Sequence, residues 1–98
     1  MMRKVRYQVA MRFGDIVYRD GYLFDLTASS GETVLLVVSK SKGIWLADHF
    51  QTGYGLSCRW DTTRKALVDQ IKREGATLAD RIIKGSNGRP ILNEVEPQ

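Results

Sequence analysis

The chain has 98 residues, 43% of them hydrophobic and 27% charged, with a net charge of +4 at pH 7. That composition belongs to a folded protein rather than a disordered one, and the length suits a single domain. One cysteine excludes an internal disulfide, and one cysteine with one histidine cannot supply the four ligands of a structural zinc. The longest apolar run, Val34 to Val38, falls far short of the about 20 residues that cross a bilayer as a helix. The N-terminal MMRKVRYQV is charged and lacks the apolar stretch of a secretory signal. A cytoplasmic protein, without membrane contact, metal or cofactor, is the expectation. Its mild basicity favours polyanions or acidic protein surfaces.

Residues 3–13 alternate, with Val5, Tyr7, Val9, Met11 and Phe13 on one face and Lys4, Arg6, Gln8, Ala10 and Arg12 on the other. Period two predicts a half-buried strand. Gly14-Asp15 turns the chain into a second strand, Ile16 to Arg19. Asp20-Gly21 is a further turn or a bulge, and Tyr22 to Leu26 is extended. Residues 27–32 have no periodicity and read as a loop. Thr33 to Ser39 is β-branched and apolar on both faces, which suits a central strand covered on both sides. Ile44–Phe50 and Tyr54–Trp60 are two further strands joined by Gln51-Thr52-Gly53.

A helix follows, with Asp61 as its N-cap, an apolar stripe of Ala66, Leu67, Val68 and Ile71, and Gly75 as C-cap. Thr77 and Asp80 have capping-box spacing for a second short helix that turns Leu78, Ala79, Ile82 and Ile83 inward and stops at Gly85. The predicted fold is α+β: about five antiparallel strands in a meander, then one or two C-terminal helices packed on one face. Residues 1–84 form the domain and 85–98 an irregular tail, with Ile91 and Leu92 docking as an extended segment.

The register of the 43–60 hairpin decides the role of its two tryptophans. With Trp45 opposite Trp60, both are core. With the turn one residue longer, Trp60 lies opposite Leu46, Trp45 faces the other way, and one tryptophan is left at the surface.

Little in the chain points to catalysis. Asp48 and His49 are strand neighbours on opposite faces and cannot chelate together. His49 and Cys58 lie on facing strands, where a thiolate partner is conceivable, but a free cysteine is more often a small hydrophobe. Asp15, Asp20 and Asp25 occupy turns or strand edges, and Gly85 to Gly88 follow a helix rather than precede one, unlike a phosphate loop. A non-enzyme is expected.

Surfaces remain. Lys4, Arg6 and Arg12 share a strand face that Arg3, Arg19 and Arg59 extend if the strands are adjacent. A basic face with interleaved aromatics tracks a phosphate backbone and stacks bases. Here Tyr7 and Phe13 fall on the opposite face from the charges, and a solvated amphipathic strand explains the pattern as well. On the helix, Asp69 and Arg73 have favourable i,i+4 spacing. Arg64 lies near the apolar stripe and either reaches a carboxylate, Asp61 or Asp48, or is free for a partner. The turn around Thr52 and Gly53, with Phe50, Tyr54 and Trp60, is a loop on a rigid scaffold with interface-type aromatics.

A strand carrying Trp45, the Thr52-Gly53 turn, a further strand and a helix opening Thr63-Arg64-Lys65-Ala66-Leu67 together resemble small accessory proteins encoded by phages and plasmids. The resemblance implies action without catalysis. Such proteins dock on a host protein or ribonucleoprotein, such as a CRISPR complex, a restriction system or a polymerase, and inhibit by occlusion. It transfers no residue role. The expected function is a binding protein of this accessory, anti-CRISPR-like kind, which inhibits or modulates a host nucleic-acid-handling complex through Phe50, Thr52, Tyr54, Arg59, Trp60 and Arg64. The alternative is direct nucleic-acid binding through Lys4, Arg6, Arg12, Arg19 and Arg59. A monomer, or a homodimer paired along the first strand, fits either reading.

Overall fold

In a computed structural model, residues 2–11 and 13–94 are described, with only the backbone path at Ser57 and Cys58. The alternating segments form five strands: β1 (Arg3–Ala10), β2 (Ile16–Thr27), β3 (Thr33–Ser41), β4 (Ile44–His49) and β5 (Gly55–Asp61). They pair antiparallel in chain order into one sheet. One helical element, α1 (Arg64–Ser86), follows and packs against it. The fold is α+β. Among the described residues no helix is long and apolar enough to cross a membrane.

Asp20-Gly21 interrupts nothing: β2 is one continuous strand of 12 residues. Its first part pairs with β1, from Ala10↔Ile16 to Arg3↔Leu23, and its second part with β3, from Tyr22↔Val38 to Thr27↔Thr33. The β1–β2 ribbon therefore runs on beyond β3 and curls over the sheet face opposite the helix. The Tyr7 hydroxyl on β1 lies 2.8 Å from both Ser39 on β3 and Asp48 on β4, a reach that a flat sheet forbids. Gly21 sits at the handover from one partner to the other. A Cβ there would lie 2.5 Å from the Val38 carbonyl and 2.9 Å from Val37 Cγ2, so no side chain fits.

This curl accounts for the two-sided apolar character of β3. Val34, Leu36 and Val38 pack with Phe24, Leu26, Ala47 and Leu56 against Leu67, Val68, Ile71, Leu78, Ala79 and Ile82 of α1. On the other side Val37 packs with Tyr7, Val9, Leu23 and Phe50 under the ribbon. Neither layer is exposed, because each face of the sheet has its own cover.

The helix start differs from expectation. Thr63, not Asp61, is the N-cap, and its hydroxyl accepts from the Ala66 amide at 3.2 Å. Asp61 is still in β5, opposite Trp45, and its carboxylate accepts from the Thr62 amide at 2.7 Å. Gly75 breaks the helix as its position suggests, with φ 54° and ψ −130°. The chain re-enters helix at once, so Thr77 caps nothing. Asp80 instead clamps the β2–β3 loop, accepting from the Ser29 amide at 2.9 Å and its hydroxyl at 2.6 Å. These bonds hold its carboxyl below the usual range. The helix runs one residue past Gly85, to Ser86.

Strand β1 ends at Ala10, where the Met11 amide donates to the Asp15 carbonyl at 2.7 Å. The inward pattern that includes Met11 and Phe13 stops there too, and Phe13 is 89% exposed. Residues 87–94 carry no helix or strand, yet they are fixed. The Leu92 and Asn93 amides both donate to the Gln51 carbonyl, at 2.7 and 3.0 Å. The Asn93 carboxamide accepts from the Gln8 amide at 2.7 Å and donates to the Gln8 and Phe50 carbonyls at 2.9 and 2.6 Å. Leu92 docks as expected, but Ile91 is exposed. The tail thus ties the edge of β1 to the β4–β5 connection.

The hairpin adopts the longer register, Leu46↔Trp60 and Trp45↔Asp61, with a bulge between Leu46 and Asp48. Trp45 packs at the rim of the helix-side core, and Trp60, on the opposite face, is 56% exposed.

Candidate functional site

The most polar interior feature is the cluster of Tyr7, Ser39, Asp48 and Arg19. A phenol has one proton, so Tyr7 donates to the Asp48 carboxylate and accepts from the Ser39 hydroxyl, both at 2.8 Å. Arg19 approaches the same carboxylate at 3.9 Å. Burial pushes the Asp48 carboxyl above its ordinary value, against the Tyr7 bond and the Arg19 charge. Burial and the Asp48 charge push the Tyr7 phenol far up. With Tyr7 1% and Asp48 4% exposed, the cluster offers a ligand no access. It bolts the ribbon to the sheet.

On the helix side His49 Nδ1 lies 2.8 Å from the Thr52 hydroxyl, and burial lowers its pKa, so the ring is neutral. The Cys58 side chain with which a dyad was conceivable lies outside the described residues. Among the described residues no group of three or more His, Cys, Asp or Glu is placed to hold a metal ion.

The six residues expected to meet a partner do not share one surface. Phe50 is buried with its ring tilted against Tyr7, and Thr52 is buried against His49. The turn between them is packed rather than free: Gly53, at φ 68°, lies with its α-carbon against the Gln8 carbonyl. Tyr54 is half-buried beside Gly85, with the Arg89 guanidinium 4.5 Å from its ring. Arg59 makes a two-pronged pair with Glu74 of α1, its Nε 2.9 Å from the carboxylate, and that pair draws the Glu74 carboxyl below its usual range. Arg64 makes no ion pair with a described carboxylate and lies over Tyr22, 3.9 Å from the ring centroid. Trp60 alone is well exposed.

The basic set also divides. Lys4 and Arg6 are on the outer face of the ribbon, Arg19 is on its inner face against Asp48, and Arg59 is on the helix side. Arg12 lies outside the described residues.

Two surfaces emerge that strand-by-strand reading missed. The β1–β2 register places Lys4 across from Tyr22, Arg6 across from Asp20 and Gln8 across from Tyr18. Lys4 and Arg6 therefore share a face with Tyr18 and Tyr22, not with Tyr7, and Arg6 lies 5.1 Å from the Tyr18 centroid. Arg64, Tyr22 and Trp45 continue that face to the start of α1, the two rings 6.2 Å apart at 48°. The second surface is the hairpin tip, where Met11, Phe13, Ile16, Val17 and Tyr18 are all exposed. The Gly14-Asp15 turn read from the sequence hides the first: as a two-residue turn it sets Phe13 against Ile16 and odd positions of β1 against even positions of β2, whereas Ala10 pairs with Ile16 and even positions meet even positions. No family model, curated protein or solved structure matches this chain.

Proposed function

We propose that the protein is a non-enzymatic binding module of the mobile-element accessory kind, which inhibits or modulates a host nucleic-acid-handling complex by protein–protein docking, and that its docking element is the tip of the β1–β2 hairpin. One observation carries the docking reading. Five of the seven large hydrophobic side chains exposed on the described surface fall between Met11 and Tyr18. Single exposed hydrophobics are ordinary, whereas a contiguous projecting set marks an interaction site. Phe13, 89% exposed at the apex, is the natural anchor. The ribbon behind the tip carries Lys4 and Arg6, so the fitting occupant is an apolar pocket with an acidic rim on a partner protein. That the partner handles nucleic acid rests on the resemblance of the 45–67 segment.

The test is capture from bacterial lysate, with and without nuclease, using wild type, Phe13→Asp and Tyr54→Ala side by side. The reading expects a protein component of a nucleic-acid-handling complex that survives nuclease, stays with Tyr54→Ala and is lost with Phe13→Asp. Retention of the same partner by a folded Phe13→Asp protein overturns it. So does light scattering that shows a dimer dissolved by Phe13→Asp, which would assign the tip to a second copy of the chain.

A further inference from the structure

We infer that the outer face of the β1–β2 ribbon, continued by Trp45 and Arg64, is a binding surface for single-stranded nucleic acid. It meets the apolar tip at Tyr18 and shares Lys4 and Arg6 with the ribbon behind it, but it is carried by the cation–ring contacts rather than by the exposed aliphatics and Phe13.

The first observation is how the cations of this protein are used. Arg19, Arg59 and Lys65 each face a carboxylate. Arg6 and Arg64 form no ion pair: each lies over an aromatic ring, and although Asp20 is the cross-strand partner of Arg6, no described carboxylate is within ion-pair distance of either, or of Lys4. A guanidinium held over a ring by cation–π attraction spends no N–H donor on a carboxylate. Its in-plane N–H donors stay available, in the fork that matches phosphate oxygens. Because Tyr22 already fixes Arg64, little ordering remains to be done when an anion arrives.

The second observation is what lies between the charges. Tyr18 is 60% exposed beside Arg6. Tyr22 and Trp45 form a half-buried pair beside Arg64. Tyr18 and Tyr22 are four residues apart on one strand, about 13 Å, so the face is long enough for a strand to run along it rather than for one nucleotide to sit in it. Flat rings between cations stack unpaired bases, whose faces a duplex hides. Asp20 and Asp61 share this face. They repel a purely electrostatic polyanion, so binding that uses the rings is favoured over binding by charge alone.

The charge count sets the salt dependence. Three cations, Lys4, Arg6 and Arg64, on a single strand give a log–log slope of about −2.

The test uses Trp60→Phe protein, in which Trp45 is the only tryptophan of the two in the chain. Its emission is followed on titration with a 12-nucleotide oligo(dT), the matching duplex, heparin and poly-glutamate at low salt. The inference expects quenching by oligo(dT) with a slope near −2, and weaker binding of the duplex and both polyanions. Tyr18→Ala and Arg64→Gln should each lower oligo(dT) affinity about 5- to 10-fold, in proteins whose melting transitions show that they are folded. No binding of oligo(dT) overturns the inference, as does duplex preference or equal affinity for heparin. Equal affinity for poly-glutamate gives the face to an acidic protein instead. Phe13→Asp should bind oligo(dT) like its parent, which separates this outcome from that of the docking test.

Discussion

Tyr7→Phe is the sharpest perturbation that the structure offers. The substitution keeps the ring, which is 1% exposed and packed on Phe50 and Val37, and deletes one oxygen. That oxygen is the hydrogen-bond donor to the buried Asp48 carboxylate, whose charged neighbour, Arg19, stands off at 3.9 Å. A hydrogen bond to a charged group contributes about 1.5–3 kcal/mol, and an abandoned buried acceptor costs about as much as its desolvation. The expected loss at pH 7 is therefore about 2–3 kcal/mol, a sizeable part of a total that is typically about 5–15 kcal/mol.

The loss should depend on pH with a definite sign. Burial holds the Asp48 pKa above its ordinary 3.8, so its contribution is most favourable below that value and is lost as pH rises through the folded pKa. The Tyr7 bond opposes that upward shift. Without it the pKa climbs further, and the penalty at neutral pH grows. Once Asp48 is protonated, only a neutral hydrogen bond is missing, worth about 1 kcal/mol. Urea unfolding at pH 7 and pH 3.8 of wild type, Tyr7→Phe, Asp48→Asn and the double variant measures all of this. The loss should shrink on acidification, and in the Asp48→Asn background it should already be about 1 kcal/mol at pH 7. A loss under about 0.5 kcal/mol, the level of ordinary surface changes, or one that is equal at both pH values, refutes the bolt.

Gly75→Ala should destabilise by about 1–3 kcal/mol, because φ 54° with ψ −130° is closed to an L-residue while open space surrounds its Cβ. A gain of about 1 kcal/mol, the usual return for Ala in a helix, would show that the two helical lengths fuse without cost to the core. Asn93→Ala removes three hydrogen bonds that tie β1 to the β4–β5 connection and should cost about 2–3 kcal/mol. Unchanged hydrogen-exchange protection at the Gln8 amide would refute the latch. His49 has its pKa lowered from 6.5 by burial, so its contribution is complete above pH 6.5 and falls as the unfolded chain takes up a proton below it. Wild type should lose stability relative to His49→Asn between pH 7.5 and pH 5.5, by up to about 1.4 kcal/mol per pH unit; a constant difference would place the ring in water.

Period two in 3–13, the β-branched run of 33–39 that is apolar on both faces, the turn glycines and the stripe of Leu67, Val68 and Ile71 were sufficient for the sheet, its order and the covering helix, since each is a local signal. The curl was not local. It depends on β2 changing partner at Gly21 and on Tyr7 reaching Asp48, residues 41 positions apart. Nothing in a single strand says that an inward tyrosine will meet a carboxylate three strands away. The binding surfaces were lost at the same step. Phe50 and Thr52 lie in a turn of ordinary composition, and it is buried because β1 and Asn93 close over it. Arg64 was placed near the apolar stripe, but that it would lie on Tyr22 required the sheet edge to be in position first.

Lys4 and Arg6 have a second physical explanation, since β1 is the sheet edge and charges on an edge strand discourage pairing with another chain. The two roles predict opposite outcomes for one variant. If the charges only guard the edge, Lys4→Ser with Arg6→Ser should self-associate with rising concentration and keep its affinity for oligo(dT). If they hold phosphates, it should stay monomeric and lose that affinity. The structure weighs toward the second outcome. Asn93 already occupies both backbone groups of Gln8, and Gly53 lies against the edge from Gln8 to Ala10. Only the short stretch before Gln8 is left to guard. Arg6, moreover, lies over the Tyr18 ring on the ribbon's face, where a guanidinium does little to block an approaching strand and much to grip a ligand that crosses the face.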